Sequence, residues 1–388
     1  MNQTKVLGTA ALCALATHGV CGEPIYSCRG EISDKCSGWT FIPTAGTGGI
    51  TYQASEGYGP AKGGQLLGPA LPVNENAFRF YLLRFDARAA ESGYWGIFFY
   101  DKEGKALVSD IYSSIYGGAE KRHYERVFYG RETATGFRPF VQSVRGVEIW
   151  DLTIQPVSAQ EAAAECDRLY QTLPPLSSTP PLHRLHRLPK TVEAMKAGTP
   201  WRVVMLGDSI INDTFNSNFQ SLLQRAWPKS DLRFICSVRG STGCGFYQEP
   251  ESFRAYVKNL RPDLLILGGI SHGNDLEAIR RVIERTRKEI GCEMILMSGP
   301  LGKDWRAFDA NHPDAALPEQ VWTPDPFVEK QRRLAGEMQI EFMDLATAWH
   351  EYLGKSRQPH NGFQRDDVHG DDRGKQIVGR MIEACFKP

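Results

Sequence analysis

Ser209 stands in Gly207-Asp208-Ser209, directly after the apolar run Val203 to Leu206. That run reads as a strand, and a helical segment is expected to begin near Thr214. A serine on such a strand-to-helix turn is held at the edge of a sheet, with the N–H groups of the following helix facing any oxyanion that forms beside it. A hydroxyl is a weak nucleophile until a base takes its proton. The residues able to do so come far downstream, in Asp366-Asp367-Val368-His369, just before the last helical segment. An aspartate and a histidine three apart on a turn can face one crevice. His369 would be the base, and Asp366 would fix its tautomer and stabilise the imidazolium. The chemistry of that set is acyl transfer. Each part also has a plainer use: Asp-Ser is a good helix N-cap, and acidic residues suit the start of a helix. Asp371 and Asp372 are assigned to that acidic flank, and Asp367 to solvent or to the helix terminus.

The Gly207-Asp208-Ser209 and Asp366-x-x-His369 motifs resemble the first and last sequence blocks of the SGNH (GDSL-like) hydrolase superfamily. The resemblance runs from about Trp201 to Pro388, half the chain, and leaves the N-terminal half uncovered. It implies a flavodoxin-like three-layer α/β/α fold and a Ser-His-Asp triad; acyl transfer on such a triad requires no cofactor, and no CxxC pair or Cys/His cluster has the spacing that would suggest a metal. It also implies an oxyanion hole built from the serine N–H, a glycine N–H and an asparagine side chain. The second block is matched by Gly240-Ser-Thr-Gly243, which places the oxyanion role on Gly243 and leaves Gly240 to shape the turn. The third block departs from the pattern, reading Gly268-Gly-Ile-Ser-His-Gly-Asn-Asp275. Asn274 is preferred there for the side-chain donor over His272, with Ser271 also open. Ile210-Ile-Asn-Asp-Thr214 is a further departure, in which Asn212 and Asp213 either line the pocket or, by preference, cap a helix.

The elements that must position these residues fall into two textures. From Trp201 on, apolar runs at Val203 to Leu206, Leu232 to Ile235, Leu264 to Leu267, Met294 to Met297 and Glu341 to Leu345 alternate with helical segments. Those segments are Phe215 to Trp227, Asp275 to Ile290, Phe327 to Met338 and Arg373 to Phe386. This is the pattern of an α/β domain with a parallel sheet covered on both faces. Lys303 to Thr323 lacks periodicity and reads as a loop, either near the strand ends or a surface excursion. Before Val157 the chain reads as all-β, with strands at Phe78 to Asp86, Tyr94 to Tyr100, Ala106 to Asp110, Tyr124 to Tyr129, Phe137 to Gln142 and Val147 to Ile154. Asp101-Lys-Glu-Gly104 supplies a turn. Short strands with no helix between them predict a jelly-roll-like sandwich. The expected division is therefore a signal peptide over 1–22, a β-sandwich over 23–158, a helix and Pro-rich linker over 159–200, and the hydrolase domain over 201–388. Ala159 to Leu173 supplies the helix. The linker, Pro174 to Pro189, holds five prolines and also His183 and His186, which are read as solvated rather than as metal ligands.

The chain has 388 residues, enough for about two domains of ordinary size. Lys plus Arg equals Asp plus Glu at 45 each, so no global field favours nucleic acid or an anionic membrane. Lys5 followed by the short apolar run Val6 to Ala16 reads as an export signal, too short for a membrane span. That makes the protein secreted or periplasmic, with Cys21 raising lipid anchoring as a rival. Seven cysteines remain after such a cleavage, and Cys28/Cys36 and Cys236/Cys244 are the disulfide candidates. An exported chain of this kind resembles carbohydrate esterases that remove acetyl groups from polysaccharides. Tyr94, Trp95, Tyr112, Tyr116 and Trp150 either stack on sugar rings or fill the sandwich. The partner expected is an acylated carbohydrate. The alternatives are a lipid or aryl esterase on the same residues, or a carbohydrate-binding or acyl-transferring protein without hydrolysis.

Overall fold

A computed structural model describes residues 23–32, 38–42, 64–73, 79–89, 93–143, 147–176, 185–300, 326–356, 362–366 and 368–387. The export segment, Cys36, His183, Asp367 and the whole Lys303 to Thr323 segment lie outside the described residues.

The first ten strands are β1 (Tyr26–Glu31), β2 (Thr40–Ile42), β3 (Gly64–Leu67), β4 (Leu71–Pro72), β5 (Phe80–Ala89), β6 (Gly93–Tyr100), β7 (Ile111–Ile115), β8 (Gly118–Tyr129), β9 (Gly136–Ser143) and β10 (Val147–Val157). They form two antiparallel sheets, ordered β1-β10-β5-β8 and β2-β3-β9-β6-β7, with β4 paired to β9. Strand alternation explains how they pack. On β5 the side chains of Tyr81, Leu83, Phe85 and Ala87 join Trp95, Ile97, Phe99, Phe128 and Phe137 in a core between the two sheets. The intervening Phe80 and Leu82 point the other way, into a second core shared with the α/β half. Over Phe80 to Leu83 β5 is thus apolar on both faces because both are covered, while Arg84, Asp86 and Arg88 further along the second face are partly exposed.

The α/β half comprises α1 (Ala159–Tyr170), α2 (Pro189–Ala197), β11 (Pro200–Gly207), α3 (Ser209–Phe215), α4 (Phe219–Ala226), β12 (Asp231–Val238), α5 (Cys244–Tyr247) and α6 (Pro250–Tyr256). It continues with β13 (Leu264–Leu267), α7 (Leu276–Glu289), β14 (Glu293–Ser298), α8 (Pro326–Glu337), β15 (Glu341–Asp344), α9 (Leu345–Ser356) and α10 (Asp372–Cys385). The five strands are parallel and ordered β12-β11-β13-β14-β15. Along β11, Val203 and Met205 pack with α3, α4, α9 and α10, whereas Val204 and Leu206 pack with α5, α6, α7 and α8. The sheet is therefore buried on both faces, which is why its strands read as continuous apolar runs. Strand order reverses at β11, opening a crevice beyond the carboxyl ends of β11, β12 and β13, where open α/β sheets place their ligands.

Several expectations need correction. Ala106 to Asp110 is not a strand: the Asp110 carbonyl accepts from the side-chain amides of Asn212 and Asn216, and the Ser109 carbonyl accepts from Arg131. With these acceptors turned toward α3, β pairing begins only at Ile111. The helix expected near Thr214 begins at Ser209, because the Asp208 carboxylate caps it by accepting from the N–H of Ile210. It then breaks at Asn218, which has a positive φ of 60°. The end of the Pro-rich stretch is not linker: Pro189 opens α2, and Glu293 accepts from the N–H groups of Lys190 and Thr191. Cys236 and Cys244 are not bonded to each other. Asp371 and Asp372 do flank the start of α10, as expected, but they also bind the β-rich half. Asp371 is buried, capping α10 through the Gly374 N–H and accepting from the Tyr116 hydroxyl, while Asp372 pairs with Arg126 and Ser113 of the β-rich half.

Candidate active site

β11 delivers the chain to the crevice at Gly207, where a Cβ would lie 2.4 Å from the Gly268 carbonyl oxygen. Only glycine allows β11 and the loop after β13 to approach so closely. Asp208 follows with 1 % of its surface exposed, and its carboxylate ties the two segments together. One oxygen accepts from Ile210 N–H at 3.0 Å; the other accepts from Ile270 and Ser271 N–H, both at 2.7 Å. Gly269 has a positive φ of 108° and would carry a Cβ 2.5 Å from that same carboxylate. The capping role of Asp208 was readable in the sequence, but its tie to Ile270 and Ser271, some sixty positions away, was not.

Ser209 is the first residue of α3. Its Oγ lies 2.8 Å from His369 Nε2. On the far side of the ring, His369 Nδ1 lies 2.9 and 3.0 Å from the two carboxylate oxygens of Asp366. Asp366 Oδ1 also accepts from the N–H groups of Val368 and His369, at 2.9 and 2.8 Å. Burial alone would raise the Asp366 pKa. The His369 ring and these two N–H groups outweigh it and hold the carboxyl well below the usual carboxylate range. An ionised carboxylate only accepts, so Nδ1 carries a proton, and Nε2 is the ring nitrogen that faces the Ser209 hydroxyl. The structure therefore brings together Ser209, Asp366 and His369, which the sequence places on either side of four strands.

The turn carrying Asp366 and His369 has its own anchor. Arg365 N–H donates to the His369 carbonyl at 3.0 Å, and Gln364 pairs with Gly370 across the turn. Arg365 Nη1 reaches both carboxylate oxygens of Asp213, at 3.0 and 2.9 Å, and the Gly370 N–H donates to Asp213 at 2.9 Å. Asp213 is thus neither a helix cap nor a pocket wall. Asn212, the other residue preferred as a cap, turns its amide to Asp110 instead. The spacing of Arg365, four before His369, carries no signal by itself.

Gly243 precedes α5, and a Cβ there would fall 2.0 Å from the Ser271 carbonyl oxygen. The loops after β12 and β13 are therefore in direct contact. Among the described residues, neither the Ser209 N–H nor the Gly243 N–H donates to a protein acceptor. Gly240 has open space around it. Asn274 lies in an exposed turn with a positive φ of 59°. His272 is buried, neither ring nitrogen has a hydrogen-bond partner among the described residues, and burial lowers its pKa, which keeps it neutral at pH 7.

Of the aromatic candidates, Trp95 is inside the β core and the Tyr116 hydroxyl is bonded to Asp371. Tyr94 and Tyr112 are half-buried with ring centroids 6.5 Å apart, and Trp150 lies 4.8 Å beneath the Lys121 ammonium. His186 sits 3.7 Å from Glu341. Among the described residues no helix is long and apolar enough to cross a membrane.

No protein-family model matches the chain, and no curated protein sequence is similar to it. Among solved structures it is similar to a two-domain esterase active on acetylated mannans, at 15 % identity and a TM-score of 0.39, over 51 % of this chain and 52 % of that one. The match thus spans about half the length of that esterase. A catalytic mutant of an acetylxylan esterase from Geobacillus stearothermophilus matches at 18 % identity and a TM-score of 0.37, over 50 % of this chain and 97 % of that one. An alpha/beta hydrolase from the metagenome of Lake Arreo, Spain, matches at 15 % identity and a TM-score of 0.36, over 50 % of this chain and 100 % of that one. Likenesses this distant carry no substrate or activity across, so the chemistry rests on this chain's own residues.

Proposed function

We propose that the chain is a serine ester hydrolase of SGNH type that removes O-acyl groups, most readily O-acetyl, from a polysaccharide. The observation that carries this reading is the continuous hydrogen-bonded series from the Ser209 hydroxyl through the His369 ring to the Asp366 carboxylate. Its position at the strand-order reversal supports it, as does the sheet order 2-1-3-4-5 of flavodoxin-like folds. Ser209 Oγ attacks the ester carbonyl while His369 Nε2 takes its proton, and Asp366 stabilises the imidazolium. The N–H groups of Ser209 and Gly243 receive the oxyanion. His369 returns the proton to the departing sugar oxygen. Water, deprotonated by the same ring, then releases the acyl group from the serine.

On the same reading the two antiparallel sheets form a sandwich covering 23–158, and the export segment sends the protein outside the cytoplasm. The test is hydrolysis of p-nitrophenyl acetate, butyrate and octanoate by the parent, Ser209→Ala and His369→Ala. Turnover confined to short chains and lost in both variants is expected. Preference for octanoate would point to a lipid or aryl esterase, and activity indifferent to Ser209 would remove the hydrolase reading altogether.

A further inference from the structure

α3 is a short helix on which Ser209 and Asp213 stand one turn apart, so their side chains share a face. Opposite them, on the turn before α10, Arg365 and His369 are also four residues apart. Two cross-links join the facing segments. One is the Ser209 to His369 hydrogen bond. The other is the Asp213 carboxylate, which accepts from Arg365 Nη1 and from the Gly370 N–H beside His369. Arg365 Nη1 also donates to the Gly370 carbonyl at 2.7 Å, so one guanidinium grips both ends of the connection. The second link is buried: side-chain exposure is 1 % for Asp213 and 11 % for Arg365.

We propose that Asp213 and Arg365 are positioning residues of this site, an ion pair that fixes the turn bearing Asp366 and His369 at one distance from the helix bearing Ser209. This rests on the hydrolase reading above and adds to it two residues that touch no substrate. The pair suits the task because it is multiply bonded. Arg365 also stands 3.9 Å from Asp366, while the Lys375 ammonium lies 3.6 Å from Asp213. A carboxylate facing two cations and a backbone N–H has little freedom to rotate, and the turn it holds inherits that rigidity. A near-attack geometry depends on such fixed distances, and a shift of about 1 Å costs roughly 100-fold in rate.

The test uses the full chain with Asp213→Asn, Arg365→Gln, Arg365→Lys and the double variant Asp213→Asn/Arg365→Gln. Each is measured by steady-state hydrolysis of p-nitrophenyl acetate and by thermal unfolding. Expected is a fall in kcat of about 20-fold or more in each neutralising single variant, with KM within about twofold, because the acyl site itself is untouched. The double variant should lose no more than the worse single, since both changes break one connection. Arg365→Lys, which keeps the charge, should retain at least several-fold more kcat than Arg365→Gln. Folded variants with kcat near the parent's, losses confined to KM, or losses that multiply in the double variant would overturn the proposal. Should a single variant not fold because it strands a buried charge, the double variant decides, as it removes both charges of the pair and leaves Lys375 its bond to the Tyr112 carbonyl. A double variant that also fails to fold would make the pair purely structural. The hydrolase reading fails separately, if the parent is inert or Ser209→Ala stays active; a Ser209-dependent parent with indifferent pair variants sinks the pair alone.

Discussion

Asp366 illustrates how one carboxylate can be set for one task. Its side chain is 44 % exposed, yet the His369 ring and two N–H groups of its own turn keep it ionised through the acid range. On the proposed chemistry, Asp366→Asn should keep the turn but lose the charge that orients and stabilises the imidazolium. An asparagine amide also donates, which favours the wrong ring tautomer. The expected loss in kcat is on the order of 1,000- to 10,000-fold with a small change in KM, and a loss under about tenfold would remove Asp366 from the mechanism. Ser209, Asp366 and His369 were legible in the sequence because their types and local spacing already imply acid–base chemistry. Beyond the cap at Asp208, the partners of Asp208, Asp213 and Arg365 were not. Each is an ordinary charged residue until folding brings partners from distant segments within hydrogen-bonding range, and no local pattern encodes that approach. The third oxyanion donor stayed open in the sequence between Asn274 and His272, and the one is exposed while the other is buried.

At the scale of elements, apolar runs read the five parallel strands well because such strands are covered on both faces. Polar elements fared worse. Asp110 looked like strand yet binds Asn212 and Asn216, and Asp371-Asp372, the acidic flank of α10, also hold the β-rich half. The cap of α10 has a measurable signature. Burial, opposed by the Gly374 N–H and the Tyr116 hydroxyl, raises the Asp371 carboxyl to about 6. A carboxyl whose folded pKa is raised binds more protons folded than unfolded between about 4 and 6, so its contribution to stability declines as pH rises through that window. Asn at this position keeps one oxygen for the Gly374 N–H and turns its amide N–H2 toward the Tyr116 hydroxyl oxygen, which can accept, without the buried charge. Asp371→Asn should therefore unfold a few degrees higher than the parent at pH 7.5 and at nearly the same temperature at pH 4, corresponding to about 1–3 kcal/mol. A variant less stable at pH 7.5 would show that the charge itself is stabilising there.

At the scale of the whole molecule, the two halves are joined by a core rather than a hinge. Phe80, Leu82, Val127 and Tyr129 of the antiparallel sheets pack with Phe215, Phe219 and Phe234 of the α/β half, and the Tyr129 ring meets those of Phe215 and Phe234 edge-on at 5.9 and 6.2 Å. Arg131 sits buried across the seam, its guanidinium 4.7 Å from the Phe99 ring and 4.6 Å from that of Phe215. Burial lowers its pKa to about 10, which still leaves it charged at pH 7. It donates to the Tyr129 and Ser109 carbonyls and to Asn216, the residue that follows the helix bearing Ser209. Asp372 and Lys375 of α10 reach Arg126, Ser113 and the Tyr112 carbonyl. Separating the halves would expose apolar surface and strand buried charges on both sides, at several kcal/mol for each unpaired ion. The chain should consequently unfold in one calorimetric transition, with calorimetric and van't Hoff enthalpies in agreement, and Arg131→Ala should lower that single transition rather than split it. Two transitions separated by about 10 °C or more in the parent would mean that the antiparallel sheets are an appended module, free of the helix and the turn that carry Ser209 and His369.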